Sequence, residues 1–397
     1  MSARSSTSSS ERPEGGSRGL NGFLAALGVA MAFWLAVFAA GTLLVDPYGL
    51  SPVKVTIPGF NAFKPQRVDI DRILKPIEVW QQAPRTILLG TSRIHQSMNP
   101  MALADTPYWP AYNAAIPDGS LALNEGYLHH YAAINPRLET VFVELFLYNF
   151  LIPVPDGPVG AGQPLPLMRF GVGDLLRNAR DLLFSADTID AAIRTVLFNR
   201  QAPARAREIL PGGQLHTPPG HNARNAFSGF PAYIWTLHPA PPMVQGLNPA
   251  AFEKVQEMQD LADAQGLSLA FLLTPDNPIF DFYVDQVDAW DLIADWITRL
   301  STMVAIYAPA GPDHRIGEPI GTEMTYWFDP FHFTPEMGRA IAEGLTGRGD
   351  FLVRLTPEAV PALIDARRQA VARWALENPH WVSEMQVERQ ASPAALP

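Results

Sequence analysis

No cysteine occurs among the 397 residues. That absence excludes a disulfide scaffold, a thiolate nucleophile, a zinc ribbon and an iron–sulfur protein together. It leaves an oxidising compartment open, because a core of this size needs no covalent staples. Positive charge is also scarce: 29 Lys and Arg stand against 39 Asp and Glu, a net charge of −10, and no basic stretch offsets it. Such a surface repels polyanions, since nucleic-acid binding rests on Lys and Arg neutralising phosphates. Charged residues of either sign make up 17% of the chain, below the roughly 25% of an average soluble protein. Proline is plentiful instead, at 38 residues, about twice its usual share of ~5%, so many connections are expected to be rigid turns. The length suits one large domain or two modest ones.

Residues 1–19 are rich in Ser, Gly and Arg without apolar periodicity, and read as a disordered cytoplasmic tail. No charge then occurs between Arg18 and Asp46, and the 26 residues from Leu20 to Val45 are strongly apolar. A helix needs about 20 such residues to cross a bilayer core. A cleaved signal peptide is the competing reading, with Val37-Phe38-Ala39 or Phe38-Ala39-Ala40 as peptidase sites. The run is longer than the roughly 7–15 residues of a signal h-region, which favours an uncleaved anchor over 20–45. Arg4, Arg12 and Arg18 against Glu11 and Glu14 give a weak positive-inside bias. With no second span following, the remainder is expected on one side of the membrane.

Residues 46–85 form a Pro-punctuated lead-in with an amphipathic piece around Ile70–Trp80. Three short apolar runs follow at Thr86–Gly90, Thr140–Leu147 and Leu267–Leu273, with a fourth strand-like piece at Met303–Tyr307. Phe252, Val255, Met258, Leu261 and Ala262 recur at helical spacing before the third run, with Gly266 as the stop. Val287, Trp290, Ile293, Ile297 and Leu300 trace another apolar stripe after it. Helices alternating with continuous apolar strands predict a mostly parallel sheet covered on both faces, an α/β sandwich over 86–356. The stretch from about 150 to 250 breaks that rhythm. It reads as a Pro/Gly-bounded insertion beside the sheet, with helices near Val172–Phe184 and Thr188–Asn199. A C-terminal helix carrying Val360, Leu363, Ile364, Val371 and Trp374, then a tail, fills 357–397.

In open parallel sheets, ligands bind beyond the carboxyl ends of the strands. Gly90-Thr91-Ser92-Arg93 follows the first run, and a Ser at such a corner is held at the rim near backbone N–H groups; alone, it reads as a helix N-cap. Asp329 and His332 stand three apart, just before a helix that Thr334 can cap and Pro335 can open. That spacing lets the carboxylate take one imidazole N–H and leaves the other nitrogen to accept a serine proton. For an isolated D-x-x-H the alternative is an Asx-turn beside a packed histidine; the Gly-Thr-Ser corner favours the base.

Together these blocks resemble the SGNH (GDSL-like) hydrolases, with a three-layer, flavodoxin-like sandwich and a triad of Ser92, Asp329 and His332. The Leu-Leu-Gly-Thr-Ser-Arg form and the Asp-Pro-x-His-Phe-x-Pro block look most like the membrane-anchored polysaccharide O-acetyltransferases, the alginate-acetylation branch. The likeness spans about 86–150 and 252–346. It implies an oxyanion hole, for which Asn113, Gly119 and Asn149 are the candidates, although no Gly precedes Asn149 as the family pattern requires. Arg93 and Glu144 are candidate supports of the site, pairing with one another or serving as an ordinary structural ion pair.

The resemblance implies a periplasmic face, a glycan acceptor, a membrane-bound O-acyltransferase as acyl supplier, and neither cofactor nor metal. An esterase or deacetylase of the same fold, and a non-catalytic envelope-assembly or glycan-binding protein, are the alternatives. His129-His130 and His216 with His221 lack a third ligand at metal-like spacing and read as structural or surface residues. His95 is a candidate lining residue of the cleft. The Trp and Tyr residues near 108–112 and 326–328 are candidates for a sugar floor, with core packing the commoner role.

Overall fold

Each of the four apolar runs forms a short strand, because a segment buried on both faces has no polar side to turn to water. In chain order, β1 is Thr86–Leu89, β2 Ala111–Asn113 and β3 Thr140–Glu144. β4 (Glu208–Ile209) and β5 (Leu215–His216) make a hairpin, and β6 (Ser268–Leu272), β7 (Ile306–Pro309) and β8 (Leu352–Leu355) follow. The structure is a computed structural model that describes residues 15–51, 54–151, 185–201, 207–217, 223–237 and 246–391, with side chains from Leu20 onward.

The chain forms two compact units, Met1–Phe63 with Gly171–Ala202, and Lys64–Phe170 with Pro203–Pro397. In the first unit one helix spans Gly15–Val45. Its stretch Leu20–Val45 has a mean hydropathy of 2.3, is exposed except near its end, where Thr42 and Val45 are buried, and is long and apolar enough to cross a membrane. At 1.5 Å per residue it extends about 39 Å, more than the ~30 Å hydrocarbon core. The helix starts before Leu20, so Gly15–Gly19 of the expected disordered tail is helical; once an apolar helix exists, each added residue gains a hydrogen bond at little further cost. Residues 1–14 lie outside the described residues. Asp46 ends the helix, its carboxylate accepting the N–H groups of Leu50 at 2.7 Å and Ser51 at 2.9 Å.

The predicted helix near Thr188–Asn199 is present as Ala186–Arg200, N-capped by Ser185. It packs on the apolar helix of its own unit, and Asn199 exchanges two 2.9 Å hydrogen bonds with the Phe63 backbone. The expected insertion at 150–250 is therefore divided. Thr188, Ala191, Thr195 and Asn199 bury a face within the first unit, while 203–250 belongs to the second. The lead-in divides likewise, after Phe63. The helix expected near Val172–Phe184 falls outside the described residues.

The second unit holds the six-stranded sheet, in the order β2-β1-β3-β6-β7-β8. Neighbours from β2 to β7 are parallel, and β8 runs antiparallel to β7. Thr86 lies opposite Thr140, which lies opposite Ser268. Strands β2 and β8 carry no recognisable apolar run. The β4–β5 hairpin meets the outer edge of β2, where Asn113 N–H donates to the Gly212 carbonyl at 2.7 Å. Gly213 permits that approach, since a Cβ there would stand 2.2 Å from the Asn113 carbonyl oxygen.

The Asp71–Gln82 helix leads into β1, and helices connect the strands at Ser92–Ser97, Leu121–Ile134, Pro249–Gln265, Trp290–Met303 and Pro335–Leu345. The Pro249–Gln265 helix shows why the sequence was readable: Asn248 caps it, Pro249 opens it, and Gly266 stops it at φ +69°. Met303 closes a helix, so the fourth strand begins only at Ile306. The C-terminal helix spans Val360–Glu377, and Pro379–Ala391, expected as tail, is a further helix because Trp381 and Met385 bury themselves. The strand order reverses at β1, with β2 on one side and β3 on the other. A ligand crevice belongs at the carboxyl ends of β1 and β3.

Candidate functional site

Gly90 follows β1, and the chain turns directly into the Ser92–Ser97 helix. A Cβ on Gly90 would meet Ile94 at 2.7 Å and Glu144 at 2.8 Å, so only glycine allows this turn. Thr91 is the N-cap, its hydroxyl accepting the Arg93 N–H at 3.2 Å. Ser92 thus occupies the first helical position, where the backbone N–H has no intrahelical acceptor.

Asp329 and His332 sit in a tight loop before the Pro335–Leu345 helix. One Asp329 oxygen accepts the backbone N–H groups of Phe331 and His332, both at 2.8 Å, which makes the loop an Asx-type turn. The same carboxylate takes the His332 Nδ1–H at 2.8 Å through its other oxygen. The proton on Nδ1 leaves Nε2 as the acceptor, and the Ser92 hydroxyl donates to it at 2.8 Å across 240 residues of sequence. Turn and base are one structure here. Thr334 stands at the N-cap position but, contrary to expectation, its hydroxyl donates to the Thr325 carbonyl and caps nothing.

Two close contacts fix the serine helix against the histidine segment. Ser97 donates its hydroxyl to the Phe333 carbonyl. Gly338, one turn into the following helix, lies so near that a Cβ would stand 2.0 Å from the Ser97 carbonyl oxygen.

Glu144, at the end of β3, is fully buried and accepts the Thr91 N–H and hydroxyl, each at 2.8 Å, and the Thr274 hydroxyl at 2.9 Å. Arg93 Nε lies 3.6 Å from it. The Arg93 guanidinium stands over the Phe146 and Phe333 rings, at 5.1 and 5.7 Å, and donates to Asp276 at 3.1 Å and to the Pro275 carbonyl. Asp276 in turn accepts from Arg367 at 3.0 Å, and Arg367 also donates to Asp281. Glu144 therefore holds the capping residue, while Arg93 ties the serine turn to the C-terminal helix. Sequence reasoning missed Asp276, Asp281 and Arg367, which carry no motif.

Without the Glu144 carboxylate Arg93 still holds Asp276, but the buried Thr91 and Thr274 donors lose their acceptor, and a buried donor left unpaired costs about 1–3 kcal/mol. Glu144→Ala should lower stability by that amount in chemical denaturation of the full chain. Glu144→Gln should lose less, because it keeps an acceptor for Thr91.

Two oxyanion candidates are committed elsewhere. The Asn113 amide is buried and donates both hydrogens, to the Ile94 carbonyl at 2.7 Å and the Met98 carbonyl at 2.8 Å. Gly119 N–H donates to Ile116 at 3.1 Å within its own turn. What Gly119 provides is proximity, since a Cβ would stand 2.7 Å from the Gly90 carbonyl oxygen. Among the described residues the Asn149 amide nitrogen is buried without a partner, and no hydrogen bond joins it to the triad. The Ser92 backbone N–H remains as the donor in place.

The other candidates separate clearly. His95 is fully buried and does not line a cleft; burial first, then the nearby charges of Lys75 and Arg207, push its pKa well below the usual value. Tyr112 and Trp327 are core residues, bonded to Glu78 and to the Arg315 and Ile316 carbonyls. His130 is buried and His216 exposed, whereas His221 lies outside the described residues. The aromatic groups beside the triad come from elsewhere. Phe331 packs edge-on against Phe230 and Tyr233, at 5.3 and 5.8 Å, and Tyr233 is 45% exposed.

Burial alone would raise the Asp329 pKa. The hydrogen bond and charge of His332 outweigh that, aided by the Phe331 and His332 N–H groups, and hold the carboxyl below its usual value. The unfolded chain keeps an Asp value near 4. A group depressed in the native state stabilises above about pH 4, and that contribution is lost as pH falls through the native value. Thermal unfolding between about pH 6 and pH 3 should therefore show an acid limb that Asp329→Asn flattens. An identical limb in the variant would mean that the dyad carries no such linkage.

Comparison of the chain with family models, curated proteins and solved structures finds no match.

Proposed function

We propose that this chain is a membrane-anchored serine acyltransferase with a three-layer SGNH-like domain, and that it moves an acetyl group through Ser92 to a hydroxyl of an envelope polysaccharide. The observation that carries this reading is the pair of 2.8 Å contacts, Ser92 Oγ to His332 Nε2 and His332 Nδ1 to Asp329. In the first half-reaction the Ser92 oxygen attacks the acyl carbonyl carbon and its proton passes to His332 Nε2. The tetrahedral oxyanion faces the Ser92 N–H, the donor's leaving group departs with the proton from Nε2, and an ester on Ser92 remains. In the second half a sugar hydroxyl attacks that ester, gives its proton to Nε2, and Ser92 leaves and is reprotonated.

Tyr233 supports a sugar acceptor, because a flat, half-exposed ring beside the base suits stacking on a pyranose face. The apolar N-terminal helix supports a position at the bacterial inner membrane with the catalytic unit in the periplasm. A membrane-bound O-acyltransferase would supply the acyl group there. Hydrolysis is the second reading, favoured by the partial exposure of His332 and Asp329, 24% and 26%, which admits water.

Full-length protein incubated with an aryl acetate should gain one acetyl on the Ser92 peptide, read by mass spectrometry. Adding bacterial envelope polysaccharide should move that acetyl to sugar. Release as free acetate whether or not polysaccharide is present would make the chain an esterase. No acetyl on Ser92 under any condition would leave the fold without this chemistry.

A further inference from the structure

The Ala186–Arg200 helix of the first unit is inside out for a helix in water. On a soluble core a helix buries its large apolar side chains and turns polar ones to solvent. Here the buried face is Thr188, Ala191, Thr195 and Asn199, all small or polar. Ile193 and Leu197, one turn apart, stand outside at 56% and 50% exposure. Helices that pack in lipid show this order, with small and hydrogen-bonding residues between helices and large apolar ones toward the acyl chains. The charges form a strip of their own. Asp187, Asp190 and Arg194 recur at i, i+3 and i+7 along one side of the apolar pair, and Asp190 and Arg194 are joined at 2.6 Å. Three arcs result, one on the neighbouring helix, one apolar and one for water.

Hydrogen bonds at the Asn199 end fix where this helix lies along the apolar one. Asn199 is bonded both ways to the Phe63 backbone, and Asn61, two residues earlier, donates to the Leu44 carbonyl at 2.8 Å. Leu44 is the last residue but one of the Gly15–Val45 helix. The tie therefore sits where a spanning helix leaves the hydrocarbon. Leu43 and Leu44 are exposed there, and Leu197 is two residues from Asn199. With 15 residues the helix extends about 22 Å, too short to cross the ~30 Å core.

We propose that Ala186–Arg200 is a second membrane contact of this chain, an interfacial helix that lays Ile193 and Leu197 among the acyl chains of the leaflet in which the Gly15–Val45 helix ends. Its occupant is the acyl region of a phospholipid bilayer. Asp187 and Asp190 balance Arg194 and Arg200, so an anionic headgroup is not required. The inference rests on the apolar helix spanning a membrane and is independent of the chemistry at Ser92. A lone spanning helix leaves the unit free to spin about its axis, whereas a second contact beside it holds one face of the unit on the leaflet.

The absence of native cysteine lets single fluorophores be placed without background. The test uses the full chain in phosphatidylcholine nanodiscs, labelled at Ile193→Cys, Leu197→Cys, Arg194→Cys or Phe33→Cys. All four side chains are exposed, so circular dichroism should not change. Lipid brominated on its acyl chains should quench the labels at 193 and 197 at least about twofold more than the label at 194, because an interfacial helix buries its apolar face ~5–10 Å deep. Iodide in the water should rank them in reverse, with or without phosphatidylglycerol in the disc. The label at Phe33 reports on the spanning helix alone. Lipid quenching at 33 with equal quenching at 193, 194 and 197 would overturn the interfacial helix and leave the anchor standing. No lipid quenching at 33 would end the membrane reading and this proposal with it. Labels at 193 and 197 shielded from both quenchers would mean that protein covers the face, and a ranking seen only with phosphatidylglycerol would mean headgroup binding; either result overturns the proposal.

Discussion

His332→Ala is expected to lower acetyl loading of Ser92 about 10⁴-fold or more, measured with a saturating aryl acetate on protein of native circular dichroism. A serine hydroxyl at neutral pH is a poor nucleophile, and the only base in hydrogen-bond reach of Ser92 Oγ among the described residues is His332 Nε2. Asp329→Asn should cost a comparable factor by a different route. The amide can donate to Nδ1, which favours the tautomer that carries its proton on Nε2 and so presents the serine with no acceptor. Losses of this kind do not add when the residues act as a unit, so the double variant should be scarcely worse than either single one. The starting rate is itself expected to be modest. With Asn113 and Gly119 committed elsewhere, the missing donors each cost roughly 10² to 10³ relative to a full oxyanion hole. If His332→Ala loads acetyl within tenfold of the native chain, the triad is not the source of the chemistry.

Gly338→Ala should give the second largest effect, though it touches no reacting atom. The new methyl would sit 2.0 Å from the Ser97 carbonyl oxygen and 2.7 Å from its carbon. Both are backbone atoms, so no side chain can swing away, and the two helices must separate. One carries Ser92 and the other follows His332. A displacement near 1 Å between reacting groups costs about 10²-fold, and overpacking costs ~1–3 kcal/mol of stability. Gly344→Ala on the same helix is the control. It meets the Leu352 backbone nitrogen at 2.9 Å, remote from the serine helix, and should lower stability with little effect on acetyl loading in the folded fraction.

Local signals explain what was readable. The D-x-x-H block needed only three residues and one turn, and the serine corner needed only a strand followed by glycine. Buried parallel strands announce themselves because both faces are apolar. β2, at three residues, is too short to carry such a signal, and β8, at the sheet's edge, buries only its end residues Leu352 and Leu355. Asn113 illustrates a deeper limit: sequence shows that an amide is present, while only folding decides which carbonyls take its hydrogens. Arg367 is a case of distance, since it meets Asp276 across 91 residues and lies in a helix without a motif. Tyr233 was hidden inside a stretch that looked like insertion alone.

The 240 residues that separate Ser92 from its base also set an order of events. A ribosome working at about 5–20 residues per second releases the hydroxyl some 10–50 s before the imidazole exists. Arg367, which locks Asp276, emerges later still. A growing chain therefore cannot form the Ser92–His332 contact until its last quarter is being made, and a product cut short before His332 keeps the hydroxyl without its partner.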